Sequence, residues 1–205
     1  MAGGKVPPGI SAGRVVAGSA RGIRLVGPGE GTRPLGDRVK QSLFAILEPR
    51  LRDRVFLDLY AGSGAAGIEA LSRGAAKAFF VERDHQAAGT IRENLRATHL
   101  AARATVVESG VSKWLAAAKR HELAEVPATT VFFDPPYDAP DELGRTLQGI
   151  EAAGPDGVLA SDGWAVAKHS RKEPPAPTRL LRSVRQERFG DTILTFYRWL
   201  DQGDA

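Results

Sequence analysis

Val55-Phe56-Leu57-Asp58-Leu59-Tyr60-Ala61-Gly62-Ser63-Gly64-Ala65-Ala66-Gly67 is the stretch that decides the fold. Its first six residues, apolar and aromatic around a single acid, read as a buried strand. Ala61–Gly64 is a tight loop, and Ala65–Arg73 is a helix ended by Gly74. Strand, glycine turn and helix together open a parallel α/β sheet. The unit recurs downstream. Lys77–Glu82, Ala104–Glu108, Thr129–Phe133 and Gly163–Lys168 read as strands. His85–Thr98, Val111–Lys119 and Glu142–Ala152 read as helices, with Trp114 and Leu115 facing the core. Glu173–Pro177 reads as a rigid linker. Arg179–Arg188 and Thr192–Leu200 read as a terminal antiparallel hairpin turning at Phe189-Gly190-Asp191. The expected architecture is α/β, with a mostly parallel seven-stranded sheet and helices on both faces.

Upstream of this stretch, residues 1–13 are rich in Gly, Pro and Ala and are expected to form a flexible tail. Residues 14–36 read as a small basic β-hairpin extension. Its strands are Arg14–Gly18 and Arg21–Val26, around a Gly18-Ser19-Ala20 turn. The main domain spans residues 37–200. It opens on a helix whose apolar face is Val39, Leu43, Phe44, Ile46 and Leu47, with Asp37 as N-cap or first-turn acid and Pro49 just past its end.

Length and composition bound the function. The chain has 205 residues, 42% of them hydrophobic, enough for one core and a small appendage. It has no Cys, and His85, His99, His121 and His169 lack metal-ligand spacing, so no metal is expected. No apolar run is long enough to span a membrane, and the N-terminus lacks a signal core, which leads to the expectation of a cytoplasmic protein. The net charge of +4 is segregated: residues 1–50 carry 8 Lys/Arg against 3 Asp/Glu, residues 51–167 carry 12 against 16, and residues 168–200 carry 8 against 3. Basic ends around an acidic middle suit a polyanion-binding protein with a separate chemical core.

Ligands of such sheets sit at the carboxyl ends of the strands. Asp58, Gly62, Glu82, Glu108 and Asp134 therefore share one rim. Gly62–Gly67 matches G-x-G-x-x-G after a strand, and Glu82 ends the next strand, placed to accept the hydroxyl hydrogens of a ribose. On this motif alone, a nicotinamide dinucleotide fits as well as S-adenosylmethionine. Asp58 favours the latter, because an acid there pairs with a cationic amino-acid group and repels a pyrophosphate. The fourth strand runs into Asp134-Pro135-Pro136-Tyr137. Both prolines lack an N–H, so this corner offers a carboxylate and carbonyls beside a flat ring. Such a pocket suits a planar group carrying an exocyclic amine.

Arg33-Pro34, Asp37-Arg38-Val39, Leu43-Phe44 with Ile46-Leu47, Ala61–Gly74, Asp134–Tyr137 and Phe189-Gly190-Asp191-Thr192 together resemble the RsmD family, from about Arg14 to Arg198. The resemblance implies a Rossmann-like class I methyltransferase that uses S-adenosylmethionine to methylate guanine N2 in 16S ribosomal RNA, presented naked or in a small-subunit assembly intermediate. A monomer is expected. The resemblance makes Asp134, Pro135, Pro136 and Tyr137 catalytic. It makes Asp58, Tyr60, Ala61, Gly62, Ser63, Gly64, Glu82, Arg83, Glu108, Ser109 and Gly110 cofactor-binding. Gly110 departs from the family, which often has an Asp there to meet the adenine amine; Glu108, Ser109 or a carbonyl would take that role. Arg14, Arg21, Arg24, Arg33, Arg38 and Lys40 are the candidate RNA contacts, with Lys168, Arg171, Lys172 and Arg188 as a second set. Three competing readings are another amino-group methyltransferase (acting on DNA adenine or cytosine, or on protein glutamine), a nicotinamide oxidoreductase, and a non-enzymatic RNA-binding assembly factor.

Overall fold

The computed structural model describes residues 11–29, 35–117, 125–136, 139, 141–172 and 177–200. After a two-stranded extension, β1 (Ser11–Arg14) and β2 (Arg24–Val26), the chain runs α1 (Asp37–Leu47), β3 (Val55–Leu59), α2 (Ala65–Ser72), β4 (Lys77–Glu82), α3 (His85–Ala97) and β5 (Ala104–Glu108). It continues through α4 (Val111–Ala116), β6 (Ala128–Phe133), α5 (Asp141–Ala153), β7 (Leu159–Ser170), β8 (Leu181–Phe189) and β9 (Thr192–Trp199). The seven-stranded sheet has the order β5-β4-β3-β6-β7-β9-β8. The first five strands in that order are parallel neighbours, and β9 pairs antiparallel with both β7 and β8. The expected architecture is the observed one, terminal hairpin included.

The two-residue repeat of the strands sorts their side chains onto two faces. Phe56, Phe80, Phe132 and Val166 belong to one apolar cluster, under α1, α2, α3 and the extension. Leu57, Phe79, Val131 and Ala165 belong to the other, under α4 and α5. Trp114 and Leu115 are buried in the second cluster, as their spacing predicts. Gly67 has a packing role: a Cβ there would lie 2.3 Å from the Phe80 ring, so only glycine lets α2 sit this close to β4.

The chain order places β4 and β5 on one side of β3, and β6 and β7 on the other. The direction of winding switches between β3 and β6, where such sheets open a crevice at their carboxyl ends.

The extension departs from its expected register. Both strands are shorter; β2 begins later, at Arg24, and β1 begins earlier, so Ser11–Gly13, expected in the tail, lie in β1. Residues 1–10 lie outside the described residues. The reason lies in α2, which competes for the extension's backbone. The Val16 and Ala17 N–H groups donate to Glu69 at 2.7 and 3.0 Å, and the Ala20 N–H donates to Ser72 Oγ at 2.9 Å. These amides are therefore taken by α2. Beyond Arg14, among the described residues, the hairpin keeps only the Val15 N–H bond to the Ile23 carbonyl at 2.9 Å and the Gly22 N–H bond to the Val15 carbonyl at 2.8 Å as cross-links between its arms. Gly18, at φ +85°, lies so close to α2 that a Cβ would sit 1.9 Å from the Ser72 carbonyl oxygen. The strand read at Gly163–Lys168 is also longer, at Leu159–Ser170. Asp37 is a first-turn acid, with Gly36 at the N-cap, and Pro49 lies in a short 3₁₀ turn, Glu48–Arg50. Glu173–Ala176 of the expected linker lie outside the described residues. No helix among those described is long and apolar enough to cross a membrane, and no group of three His, Asp or Glu side chains among them could hold a metal ion.

Candidate active site

The strand repeat that builds the core also builds the site. Asp58, Glu82, Asp134 and Lys168 each stand two residues beyond a core residue of the same face: Phe56, Phe80, Phe132 and Val166. Four ionisable groups thus project from the carboxyl ends of four adjacent parallel strands onto one side of the sheet. They line one cavity of about 860 Å³, together with the glycine loop and the Ser11, Ala12 and Gly27–Gly29 backbone of the extension. That is room for a cofactor of nucleoside size.

The glycine loop is held in a strained path. Tyr60 has φ 59°, Gly62 has φ 54° and Gly64 has φ 77°. The Tyr60 hydroxyl turns away to Glu142 and Thr146 of α5, both at 2.8 Å, so the side chain anchors the loop and its backbone faces the cavity. Ala61, Gly62 and Ser63 line the cavity. A Cβ on Gly62 would meet nothing closer than 4.0 Å, so the loop opens onto free space. Gly64 instead packs inward, where a Cβ would press on Ile91 and Phe80 at 3.1 and 3.3 Å.

Glu82 accepts the Gly62 N–H at 2.8 Å and the Asp84 N–H at 2.9 Å, one on each oxygen. A carboxylate accepts about four hydrogen bonds, so each oxygen keeps a free lone pair for a ligand hydroxyl. Arg83 and Ser109 also line the cavity. Glu108 does not: it pairs with His85 at 2.8 Å and Arg92 at 2.7 Å on α3, bonds that hold its carboxyl below the ordinary range. Gly110 is the N-cap of α4 and is likewise away from the cavity wall. Of the two side chains expected to replace that Asp, Ser109 lines the cavity and Glu108 does not.

Asp58 is 2% exposed and receives one backbone hydrogen bond, from the Gly67 N–H in the first turn of α2, at 2.8 Å. Burial pushes its carboxyl well above the ordinary range; the Gly67 bond opposes this, and repulsion from Asp134 and Glu82 adds to it. Asp134 is raised as well, by burial, with the Lys168 ammonium opposing. Lys168 Nζ reaches both Asp134 oxygens, at 2.8 and 2.7 Å. Four carboxylates, Asp58, Glu82, Asp84 and Asp134, against Lys168 and Arg83 leave the lining acidic. That is the lining a cationic ligand stabilises and a pyrophosphate does not. Pro135 and Pro136 line the cavity beside Asp134. Tyr137 lies outside the described residues.

Sequence reasoning placed Lys168 only in a secondary RNA-contact set and passed over Asn94. Lys168 could have been found from the strand repeat, as a cation two residues beyond a buried valine. Asn94, 1% exposed on α3, donates from Nδ2 to the carbonyls of Val26 (2.8 Å) and Ser63 (2.9 Å) and accepts the Val26 N–H at 2.9 Å. It ties the extension to the glycine loop. No local pattern announces a residue whose partners are 68 and 31 positions away.

Among the candidate RNA contacts, Arg14, Arg21, Arg24 and Arg38 are exposed. Arg14 forms an ion pair with Asp37 at 3.1 Å. Arg33 lies outside the described residues. Lys40 is a correction: its side chain is fully buried, donating to the Arg14 carbonyl and pairing with Asp37 at 3.3 Å. It fastens α1 to the extension and presents no charge to solvent.

A family model described as conserved hypothetical protein 95 matches residues 13–198. Over 187 residues the chain is 38% identical to "Putative rRNA methyltransferase YlbH" of Bacillus subtilis, covering 90% of this chain and 98% of that one. It is 42% identical over 125 residues to ribosomal RNA small subunit methyltransferase D of Escherichia coli, covering 60% of each chain. The solved structure of "Putative methyltransferase yhhF" from Escherichia coli superposes with a TM-score of 0.77 at 31% identity, over 92% of this chain and 98% of that one. The chain belongs to the conserved hypothetical protein 95 family, the family of ribosomal RNA small subunit methyltransferase D.

Proposed function

We propose that this chain is an S-adenosylmethionine-dependent methyltransferase that modifies the exocyclic N2 of a guanine in 16S ribosomal RNA during small-subunit maturation. The observation that carries this reading is the pair of incompletely neutralised carboxylates, buried Asp58 and half-buried Asp134, at the carboxyl ends of adjacent strands in one cavity. Asp58 receives the cationic amino-acid end of the cofactor, Glu82 its ribose hydroxyls, and the Gly62 backbone its close approach. When bound, S-adenosylmethionine supplies an electrophilic methyl group. The same acidic lining disfavours a nicotinamide dinucleotide, whose pyrophosphate would meet Asp58.

The protein's task is to make a poor nucleophile react. The lone pair of a guanine amine is delocalised into the ring. The Asp134 carboxylate and the Pro135 carbonyl accept its two hydrogens, hold the nitrogen in line and favour a more tetrahedral, more nucleophilic geometry. Positioning of this kind supplies most of the rate, and the carboxylate stabilises positive charge developing on nitrogen. The base must leave its stack to enter the cavity. Arg14, Arg21, Arg24 and Arg38, exposed on and beside the extension that forms one wall of the cavity, are placed to hold flanking phosphates. A monomer acting in the cytoplasm completes the reading.

The deciding experiment is transfer of tritiated methyl to small-subunit RNA, free and in assembly intermediates, followed by mapping of the modified nucleotide. Asp134→Ala is expected to abolish turnover while retaining cofactor binding by calorimetry. Undiminished transfer by that variant would overturn the role given to Asp134. Label on an adenine or on protein would overturn the choice of substrate.

A further inference from the structure

Lys168 lies near the end of β7, 7% exposed, a position where lysine is rare unless paired. Its ammonium spans both oxygens of Asp134 at 2.7–2.8 Å, and both side chains line the cavity. The contact follows from the register. Phe133 of β6 pairs with Ala167 of β7, so the next residues on the two parallel strands, Asp134 and Lys168, are side by side. Among the described residues, Lys168 on β7 attracts Asp134, while Asp134 and Glu82 of β4 both repel Asp58 of β3. Lys168 is thus the cation set against a cluster of three acids.

We propose that Lys168 is a positioning residue for methyl transfer, fixing the Asp134 carboxylate in one orientation and keeping it a hydrogen-bond acceptor at working pH. This rests on the guanine N2 reading above. As the amino nitrogen gains its methyl group, the S–CH3 electron pair stays with sulfur. The nitrogen must then shed a proton. The N–H electron pair returns to nitrogen, the proton passes to the Asp134 carboxylate, and Asp134 releases it to water. An Asp134 already protonated accepts the amine hydrogen only weakly and cannot take this proton. Burial drives it toward that inactive form, and Lys168 opposes the shift.

The test uses the full chain as wild type, Lys168→Met, Lys168→Arg and the double variant Lys168→Met/Asp134→Asn. The acid limb of the kcat–pH profile is expected to move to higher pH in Lys168→Met by about 1–3 units, the usual effect of a neighbouring cation on a carboxyl. Activity should recover as pH rises, and Lys168→Arg should keep the wild-type limb. Infrared difference spectroscopy gives a readout independent of activity. Beyond any Asp58 band common to all four proteins, an additional protonated-carboxyl band is expected at neutral pH in Lys168→Met and not in wild type or the double variant. A uniform loss of rate with an unmoved acid limb, or no such band, would overturn the proposal. If wild type transfers no methyl to RNA, the guanine reading fails, and the infrared result still decides whether Lys168 sets the state of Asp134.

Discussion

Glu69 and Asp58 are both carboxylates taken out of water, 0% and 2% exposed, and the protein treats them in opposite ways. Glu69, on α2, accepts the Val16 and Ala17 N–H groups of the extension and the Arg73 Nε at 2.8 Å, while the Arg73 guanidinium lies over the Phe44 ring. Its acceptor sites meet donors on both sides, and the result is a joint between extension and core. Asp58, on β3, meets one backbone N–H and two like charges, and it faces the cavity. A buried carboxylate supplied with donors is architecture. One left short of them is held ready for a ligand.

The largest effect should come from emptying the joint. Glu69→Ala leaves two amides and the Arg73 Nε without their acceptor. Among the described residues, only the 3.9 Å pair to exposed Glu48 remains to Arg73. The substitution is expected to cost about 3–5 kcal/mol in denaturant unfolding. Cofactor affinity per folded molecule should stay near wild type. A stable Glu69→Ala protein would break the comparison. Asp58→Asn should do the reverse: unfolding stability is held or raised, because a repelled buried charge is gone. Cofactor affinity by calorimetry should fall about 10- to 150-fold, the loss of a charge-assisted hydrogen bond of about 1.5–3 kcal/mol. Equal affinity would show that Asp58 only caps α2.

A pH titration sharpens the contrast. The Asp58 carboxyl is raised, so the ligand-free protein protonates it above the ordinary carboxylate range. Protons compete with a cationic ligand. Cofactor affinity should therefore be full at high pH and begin to fall while pH is still above that range. In Asp58→Asn the Asp58 component of this fall should vanish. The smallest effects belong to the outer face of the extension. Arg21→Gln and Arg24→Gln are each expected to lower the salt slope of RNA binding by about one unit. Lys40→Met, buried in the joint, should leave that slope unchanged and lower stability instead. A slope lowered by Lys40→Met would show that the joint opens on RNA.

Much of this was legible before any coordinates. Residues 55–67 announce strand, turn and helix through local propensities, and repetition of the unit settles the parallel sheet. The strands at Lys77–Glu82 and Ala104–Glu108 lie where their patterns put them. The extension was legible as a basic β-hairpin but not in its register, because α2 takes amides that a hairpin read alone would pair internally. Glu108 sits at a strand end like Asp58 and Asp134, yet it lies at the sheet's edge beside α3, where His85 and Arg92 take it. Lys40 reads as a surface cation on a helix and is buried because the extension folds over it.

The sequence by itself determined which residues become strands and helices, and which strand ends carry acids. Those properties follow from turn chemistry and from side-chain periods of 2 and 3.6, all local along the chain. Only the tertiary structure decided the state of those acids. The partners of Glu69 from the extension lie 52 and 53 residues away, and the cation on Asp134 lies 34 residues away. Burial and pairing act through space. In this protein they separate the carboxylate that holds the fold together from the two that wait in the cavity.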